Sequence, residues 1–463
     1  MSKPFDLQAL LRGAVDLSIV ALATELLRSC RANRDELYDA LLVDRKGSAA
    51  HAEIRSAALA IFRELDSDWV DAECVTKLVK LAGLWAGGVH PALVALGYAE
   101  ALDEALGRRF AGCFRNSGDR VLQVDDAFPV VGTDLRASFP DGLGPRPEKV
   151  ERPLDASRRL RLLPANLPVR VRLCWSEADA LCPITAESKL GFAFANLCIS
   201  PDHQASEIVW TRYSEDGKRL FFDCRPKDLA AQVEAVRRLV RKAAGEKVDV
   251  LLFPELSFTP QVRDALAQEL EQLGQAGPAI VLAGSAHELV SGRKVNRAVA
   301  LLQGGGRLEH LKFTPFEFPD WDDAGLVGQM CERSEDIAHE PLINLYASEH
   351  WSLCILICKD FMRPDMAPAL VQLRPRLVLV PAFSWKTENF RANADFVATH
   401  GQSIVAVANV CDAEYAEATV ALLATPAAEA PPVLAPRREL TEEALICIGL
   451  NRRTYLHDAC ADP

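Results

Sequence analysis

The chain has no apolar run long enough to cross a bilayer, and its opening Met1-Ser2-Lys3-Pro4-Phe5-Asp6 lacks the apolar stretch of a signal peptide. It has no excess of positive charge. Asp and Glu number 64 against 52 Lys and Arg, and the net charge of −12 sets up a field that repels nucleic acid. Aromatic residues are few, at 7%, so the stacking platforms of a single-strand binder are scarce. None of the thirteen cysteines stands in a C-x-x-C pair or at Cys/His ligand spacing, which argues against a zinc site and a disulfide framework. An odd, dispersed set of thiols fits a reducing compartment. The expectation is a soluble, cytoplasmic protein with neither membrane nor nucleic acid as partner.

What is present is the composition of a globular protein: 463 residues, 49% hydrophobic and 25% charged, enough for two or three domains. Residues 1–110 read as successive helices, with apolar recurrence through Leu7, Leu11, Leu22 and Leu26, and again through Ile54, Ala58 and Phe62. No catalytic constellation occurs there. His51 and His90 read as surface or capping residues, and the segment reads as an interaction or regulatory module. Residues 111–187 are rich in proline and read as a linker with short strands, Val169–Leu173 being the clearest. Eight Lys or Arg against three acids between Arg146 and Arg172 form a local basic patch, read as a solvated face.

From residue 188 to 463 strands and helices alternate, the pattern of an α/β fold. Apolar strands end at Val248–Phe253, Leu308–Lys312 and Trp351–Ile357, and each is followed closely, or closed, by a polar residue: Glu255, Lys312 and Cys358. Active sites of α/β sheets gather at the carboxyl ends of strands, so these three can converge. Their chemistry is coherent. Cys358 supplies a thiolate, with Lys312 expected to lower its pKa. Glu255 takes the thiol proton and later activates water. Lys312 and the backbone N–H of Lys359 receive an oxyanion. No metal and no organic cofactor is called for.

The region from about Gly191 to Leu450 resembles the nitrilase, or carbon–nitrogen hydrolase, superfamily. The resemblance rests on Phe253-Pro254-Glu255, on His310-Leu311-Lys312, and on Ile357-Cys358-Lys359-Asp360 with Pro364-Asp365. Ala283-Gly284-Ser285, Asn296, Pro381-Ala382 and Ala408-Asn409 add support. It implies a four-layer αββα sandwich, assembly as a homodimer or larger homo-oligomer, and a Glu255–Lys312–Cys358 triad. The reaction it implies is hydrolysis or transfer at an amide or nitrile C–N bond through a thioester. Glu317 is the best match to a second glutamate that many members carry after the lysine, and Trp385 is a candidate for lining the pocket. The chain departs from the family in the 46 residues from Lys312 to Cys358, where an acidic insertion, Trp321 to Glu340, reads as a lid or specificity loop.

Two functions follow. One is a cysteine-dependent hydrolase of small amides or nitriles, regulated or recruited through residues 1–110, which could also bind a protein partner. The other is a nitrilase-like effector or scaffold in a multi-component system, such as bacterial defence, that acts only with its partner.

Overall fold

The computed structural model describes residues 5–43, 45–115, 118–130, 159–175, 190–196, 206–214, 219–318, 332–337, 339–348, 351–384, 387–410, 419–426, 433–436, 444–449 and 457–458. They fall into two compact units: the described residues up to Leu167, with Ala347 and Ser348, form the first, and the others from Pro168 onward form the second. Among the described residues no helix is long and apolar enough to cross a membrane.

The first unit is helical. It contains α1 (Leu7–Arg12), α2 (Ile19–Ala32), α3 (Arg34–Tyr38), α4 (Arg45–Arg63), α5 (Ala72–Trp85), α6 (Pro91–Leu106) and α7 (Phe110–Arg115). The apolar recurrence that runs unbroken from Leu7 to Leu27 is cut in two by caps. Gly13 closes α1, and the Ser18 hydroxyl accepts from the Ala21 N–H to open α2. His90 is a cap as well: its Nδ1 accepts from the Ala92 N–H, and Pro91 takes the first helical position. Helix α6 is buried on nearly every side, with α2 and α4 packed on it. Helix α5 is joined to it where the Tyr98 hydroxyl donates to the Leu78 carbonyl at 2.8 Å.

Short strands β1 (Arg120–Val121), β2 (Ala127–Pro129) and β3 (Leu160–Leu162) belong to the same unit, and the Arg31 guanidinium of α2 donates to the Leu162 and Leu163 carbonyls, each at 2.9 Å. The stretch read as a linker is therefore shared out. Its first strands complete the helical unit, and β4 (Arg170–Cys174) joins a sheet of the second.

The second unit is α/β and holds three sheets. Its elements are β5 (Gly191–Asn196), β6 (Ser206–Tyr213), β7 (Arg219–Pro226), α8 (Leu229–Gly245), β8 (Val250–Leu252), α9 (Pro260–Leu273), β9 (Ile280–Val290), β10 (Arg293–Leu302) and β11 (Arg307–Leu311). There follow β12 (Glu317–Phe318), β13 (Glu332–Glu335), β14 (Leu342–Ala347), β15 (Ser352–Ile355), α10 (Lys359–Met362), α11 (Met366–Leu373), β16 (Leu377–Phe383) and α12 (Glu388–Gly401). The last are β17 (Ile404–Val410), β18 (Thr419–Ala424), β19 (Val433–Pro436), β20 (Ala444–Gly449) and β21 (His457–Asp458).

One sheet runs β11-β10-β9-β8-β5-β20-β21, and a second contains β4-β14-β15-β16-β17-β18-β19. The centre of each is parallel: β5, β8 and β9 in one, β15, β16 and β17 in the other. The first residues of β8 and β9 and the body of β16 and β17 are correspondingly apolar, as burial of both faces demands. Helices α8 and α9 cover the first sheet, with Val236, Leu239, Val240, Val262 and Leu266 against Leu251, Val281 and Val299. The first sheet also meets the second, through β9 with β16 and β5 with β17. The third, smaller sheet runs β12-β13-β7-β6. Apart from Phe222, its strands carry few buried apolar side chains, and β6, β7, β12 and β13 do not stand out in the sequence.

The hairpin read over Gly304–Gly306 is the β10–β11 pair, in register from Arg297↔Leu311 to Leu301↔Arg307. Gly284 in β9 is required by a close approach: its φ is 52°, and a Cβ there would lie 2.1 Å from the Pro254 carbonyl oxygen and 2.5 Å from the Ser257 hydroxyl. Substitution must push aside the turn that carries Glu255. Gly284→Ala should cost about 3 kcal/mol or more, from overpacking and left-handed strain together, read as a lowered urea midpoint at unchanged slope.

Candidate active site

Cys358 sits where β15 runs out. Pairing with β16 continues past the strand end through Leu356 N–H to Leu379 O at 3.1 Å and Cys358 N–H to Pro381 O at 2.9 Å. At Cys358 the backbone turns sharply, with φ 43° and ψ −103°, and the single turn α10 begins. A non-glycine residue at positive φ is strained, and such strain persists only where the surroundings over-determine it. The thiol is 1% exposed, and its Sγ lies 3.8 Å from the Phe383 carbonyl oxygen. The N–H groups of Asp360, Phe361 and Met362 are taken by the Ile357 and Cys358 carbonyls. Lys359 N–H, first in the turn, is in the position of an unsatisfied helix-start donor.

Glu255 follows β8 on a second strained turn. Its N–H donates to Ala382 O at 3.3 Å, and Leu256 next to it has φ 54°. The Leu256 N–H is held by the Ser285 hydroxyl at 3.1 Å. Lys312 follows β11 directly, its N–H on the Asn296 carbonyl at 2.9 Å, which extends the β10–β11 ladder by one rung. The ammonium lies 2.7 Å from Glu255 Oε1 and 2.5 Å from Glu335 Oε2. Asn296 Nδ2 bridges the same carboxylates, donating to Glu255 Oε1 at 3.0 Å and to Glu335 Oε1 at 2.8 Å. The Glu255 carboxyl and the Lys312 ammonium both act electrostatically on the Cys358 thiol. The three strand-end residues are thus brought together, all nearly inaccessible to solvent.

Glu335 is the functional candidate that sequence reasoning missed. It ends β13, in the acidic insertion, and also accepts from the Phe316 N–H at 2.6 Å. Glu317, expected in this place, is elsewhere: its side chain is 55% exposed and meets Lys359 Nζ at 3.3 Å. The reason is strand alternation. Glu317 in β12 pairs with Ser334, and Glu335, one residue on, faces the opposite side of the sheet. The Lys359 side chain is thus turned to Glu317, leaving its backbone as the part that can serve an oxyanion. Trp385 lies outside the described residues.

Asp360 clasps the turns together. It is fully buried and accepts from the Phe313 and Thr314 N–H groups beyond Lys312, at 3.3 and 2.8 Å, with His310 Nε2 at 3.1 Å. The carboxylate after the thiol therefore fixes the loop after the lysine.

The electrostatics divide the two glutamates. Burial raises the proton affinity of both, and Lys312 lowers it. For Glu335 the further cation His287 tips the balance, and it is held below the usual carboxylate range. Glu255, with Glu335 as a like charge nearby, is held above it. The expectation of a depressed thiol pKa is reversed: burial, reinforced by Glu255, pushes the Cys358 thiol well up, and Lys312 offsets this only in part. At rest the group is a thiol beside a carboxylate of raised basicity.

No family model matches the chain, and no curated protein matches it. Solved structures similar to it are amidases of the nitrilase superfamily. An amidase from Nesterenkonia sp. is 17% identical and the match covers 57% of this chain and 94% of that one, at a TM-score of 0.38. A point mutant of the amidase from Nesterenkonia sp. AN1 in complex with butyramide is 16% identical, covering 57% and 91%, also at 0.38. A second mutant, which shows covalent addition of the acetamide moiety of fluoroacetamide at its active-site cysteine, is 17% identical over 57% and 91%, at 0.38.

Lys312→Met should leave two buried carboxylates with one cation fewer and destabilise the fold by about 3–5 kcal/mol at neutral pH. Their folded pKa values would then stand above the unfolded ones, so stability should return in part as pH falls and they take up protons. Urea unfolding of the variant at about pH 7.5 and about pH 5.5 checks the sign; a variant that weakens further on acidification would contradict the pairing.

Proposed function

We propose that the second unit is a cysteine-dependent hydrolase of C–N bonds in small amides or nitriles, built as a four-layer αββα sandwich. The observation that supports the reading is that Cys358 and Glu255 are fastened to the adjacent carbonyls of Pro381 and Ala382, while Glu255 shares the Lys312 ammonium with Glu335. For an amide the steps balance as follows. The sulfur attacks the carbonyl carbon while Glu255 takes the thiol proton. The oxyanion that forms is received by Lys312 Nζ and the Lys359 N–H. Collapse breaks the C–N bond, and Glu255 returns the proton to the departing nitrogen, leaving a thioester. Water then attacks the thioester with Glu255 again as base, and acid and thiol are released. Because the resting thiol is kept protonated, attack is coupled to proton transfer rather than to a standing thiolate.

The same burial favours a second reading. With Cys358 1% exposed, the site opens only when something moves, which suits an enzyme controlled by the helical unit or by a partner in a multi-component system. The homo-oligomer expected from the resemblance belongs to this proposal too.

Incubation with a panel of short aliphatic and aromatic amides should release ammonia from at least one. Cys358→Ala should abolish it, and Glu255→Gln and Lys312→Ala should each lower kcat/KM by at least about a thousandfold, because residues acting as a unit are not additive. Mild effects would overturn the triad. Iodoacetamide mapping by peptide mass spectrometry gives a substrate-free check: the pH profile of Cys358 labelling should change in Glu255→Gln, while the profiles of the other cysteines stay where they are. Labelling only after a partner is added would select the second reading.

A further inference from the structure

His287 has no place in the chemistry above, yet it lies behind it. It is in β9, directly across from Asn296 of β10, and its side chain is 3% exposed. Its two ring nitrogens face two carboxylates: Nε2 lies 3.1 Å from Glu335 Oε1, and Nδ1 lies 3.4 Å from Asp223 Oδ1. Asp223, from β7, also pairs with Lys294 of β10 and has Arg225 at 4.0 Å on its other oxygen. The Phe222 ring meets the imidazole edge-on, with centroids 5.6 Å apart. These side chains line up rather than converge, and among the described residues no group of His, Cys, Asp and Glu is arranged to hold a metal ion.

The ring is hydrogen-bonded to Glu335 through Nε2 and stands at ion-pair distance from Asp223 through Nδ1, which is buried without a hydrogen-bond partner among the described residues; it can compensate both carboxylates only with both nitrogens protonated. It then carries a charge. Asp223 is served at the edge of the cluster by Lys294 and by the exposed Arg225. In the interior Glu255 and Glu335 have Lys312 as their one ammonium among the described residues, so a neutral ring would leave a buried anion uncompensated there. Burial by itself would favour the neutral ring; Asp223 and Glu335 outweigh it and hold His287 above its ordinary range.

We propose that His287, clamped by Asp223 as an imidazolium, is a positioning residue that keeps Glu335 ionised and turned to Lys312, leaving Glu255 as the carboxylate that faces the thiol. The two glutamates are chemically alike and share one ammonium. His287 makes them unequal, because it touches Glu335 alone. The inference rests on the hydrolase reading for its purpose, but its physical content, the charge state of one ring, stands apart from it.

The full chain labelled with nitrogen-15 histidine gives the decisive reading. The His287 ring, recognised among nine histidines by its loss in His287→Gln, should keep both nitrogens protonated above the pH at which an ordinary histidine, of pKa about 6.5, becomes neutral. Asp223→Asn should bring its titration down into the range below. In His287→Gln, losing a cation beside Glu335 should raise the proton affinity of the cluster. The acid limb of Cys358 labelling by iodoacetamide should then move up by about one pH unit or more, with circular dichroism confirming the fold. A wild-type ring that is neutral at pH 7, or an unmoved labelling profile in a folded His287→Gln, would overturn the assignment. If no amide in the panel releases ammonia in a Cys358-dependent way, the hydrolase reading fails, and the ring state still decides the charge of His287.

Discussion

One buried ammonium organises this molecule's chemistry. Lys312 has almost no contact with solvent, and an isolated charge in such a place would cost several kcal/mol or more. It is tolerated because two carboxylates reach it from separate parts of the unit: Glu255 from the end of β8, and Glu335 from the end of β13 in the smaller sheet. Asn296 spans both carboxylates. The ion cluster therefore serves as a joint between sheets as well as a place where charge can be moved, and the backbone around it is held to match.

That holding is visible in the strain. Cys358 and Leu256 both adopt positive φ, one at the thiol and one beside the carboxylate. Each is braced by groups with no reactive role of their own: the Cys358 turn by Asp360, the Glu255 turn by Ser285 and by the missing side chain of Gly284. Backbone bonds from Cys358 to Pro381 and from Glu255 to Ala382 fasten both to β16. The Cys358 and Glu255 turns are thus set on neighbouring residues of one strand, which is how two sheets bring both residues to one place.

Glu255, Lys312 and Cys358 were legible in sequence because each follows an apolar strand, and an apolar run that stops at a charged or thiol side chain is a local signal. The alternation of strands and helices after residue 188 was legible for the same reason, and so was the hairpin over Gly304–Gly306. Helix α6 read less clearly, because a helix buried on all sides has no polar face to mark its period. Glu335 was not legible. It stands in Glu332-Arg333-Ser334-Glu335, a polar stretch with no apolar alternation, and its burial comes from strands far away in the chain. Glu317 looked the better match because proximity in sequence to Lys312 was the only available measure.

Sequence by itself thus determined the helical character of the first 110 residues, the α/β character after residue 188, and which glutamate, lysine and cysteine stand at strand ends. These are properties of neighbouring residues and of hydrophobic period. Only the tertiary structure decided that β13 pairs with β7, that Glu335 rather than Glu317 meets Lys312, and that His287 stands between Asp223 and Glu335. It also decided the sign of the thiol's shift, since burial and the like charge of Glu255 outweigh the lysine expected to dominate. Those outcomes depend on distances of a few ångströms between residues that lie tens of positions apart, and no local pattern carries them.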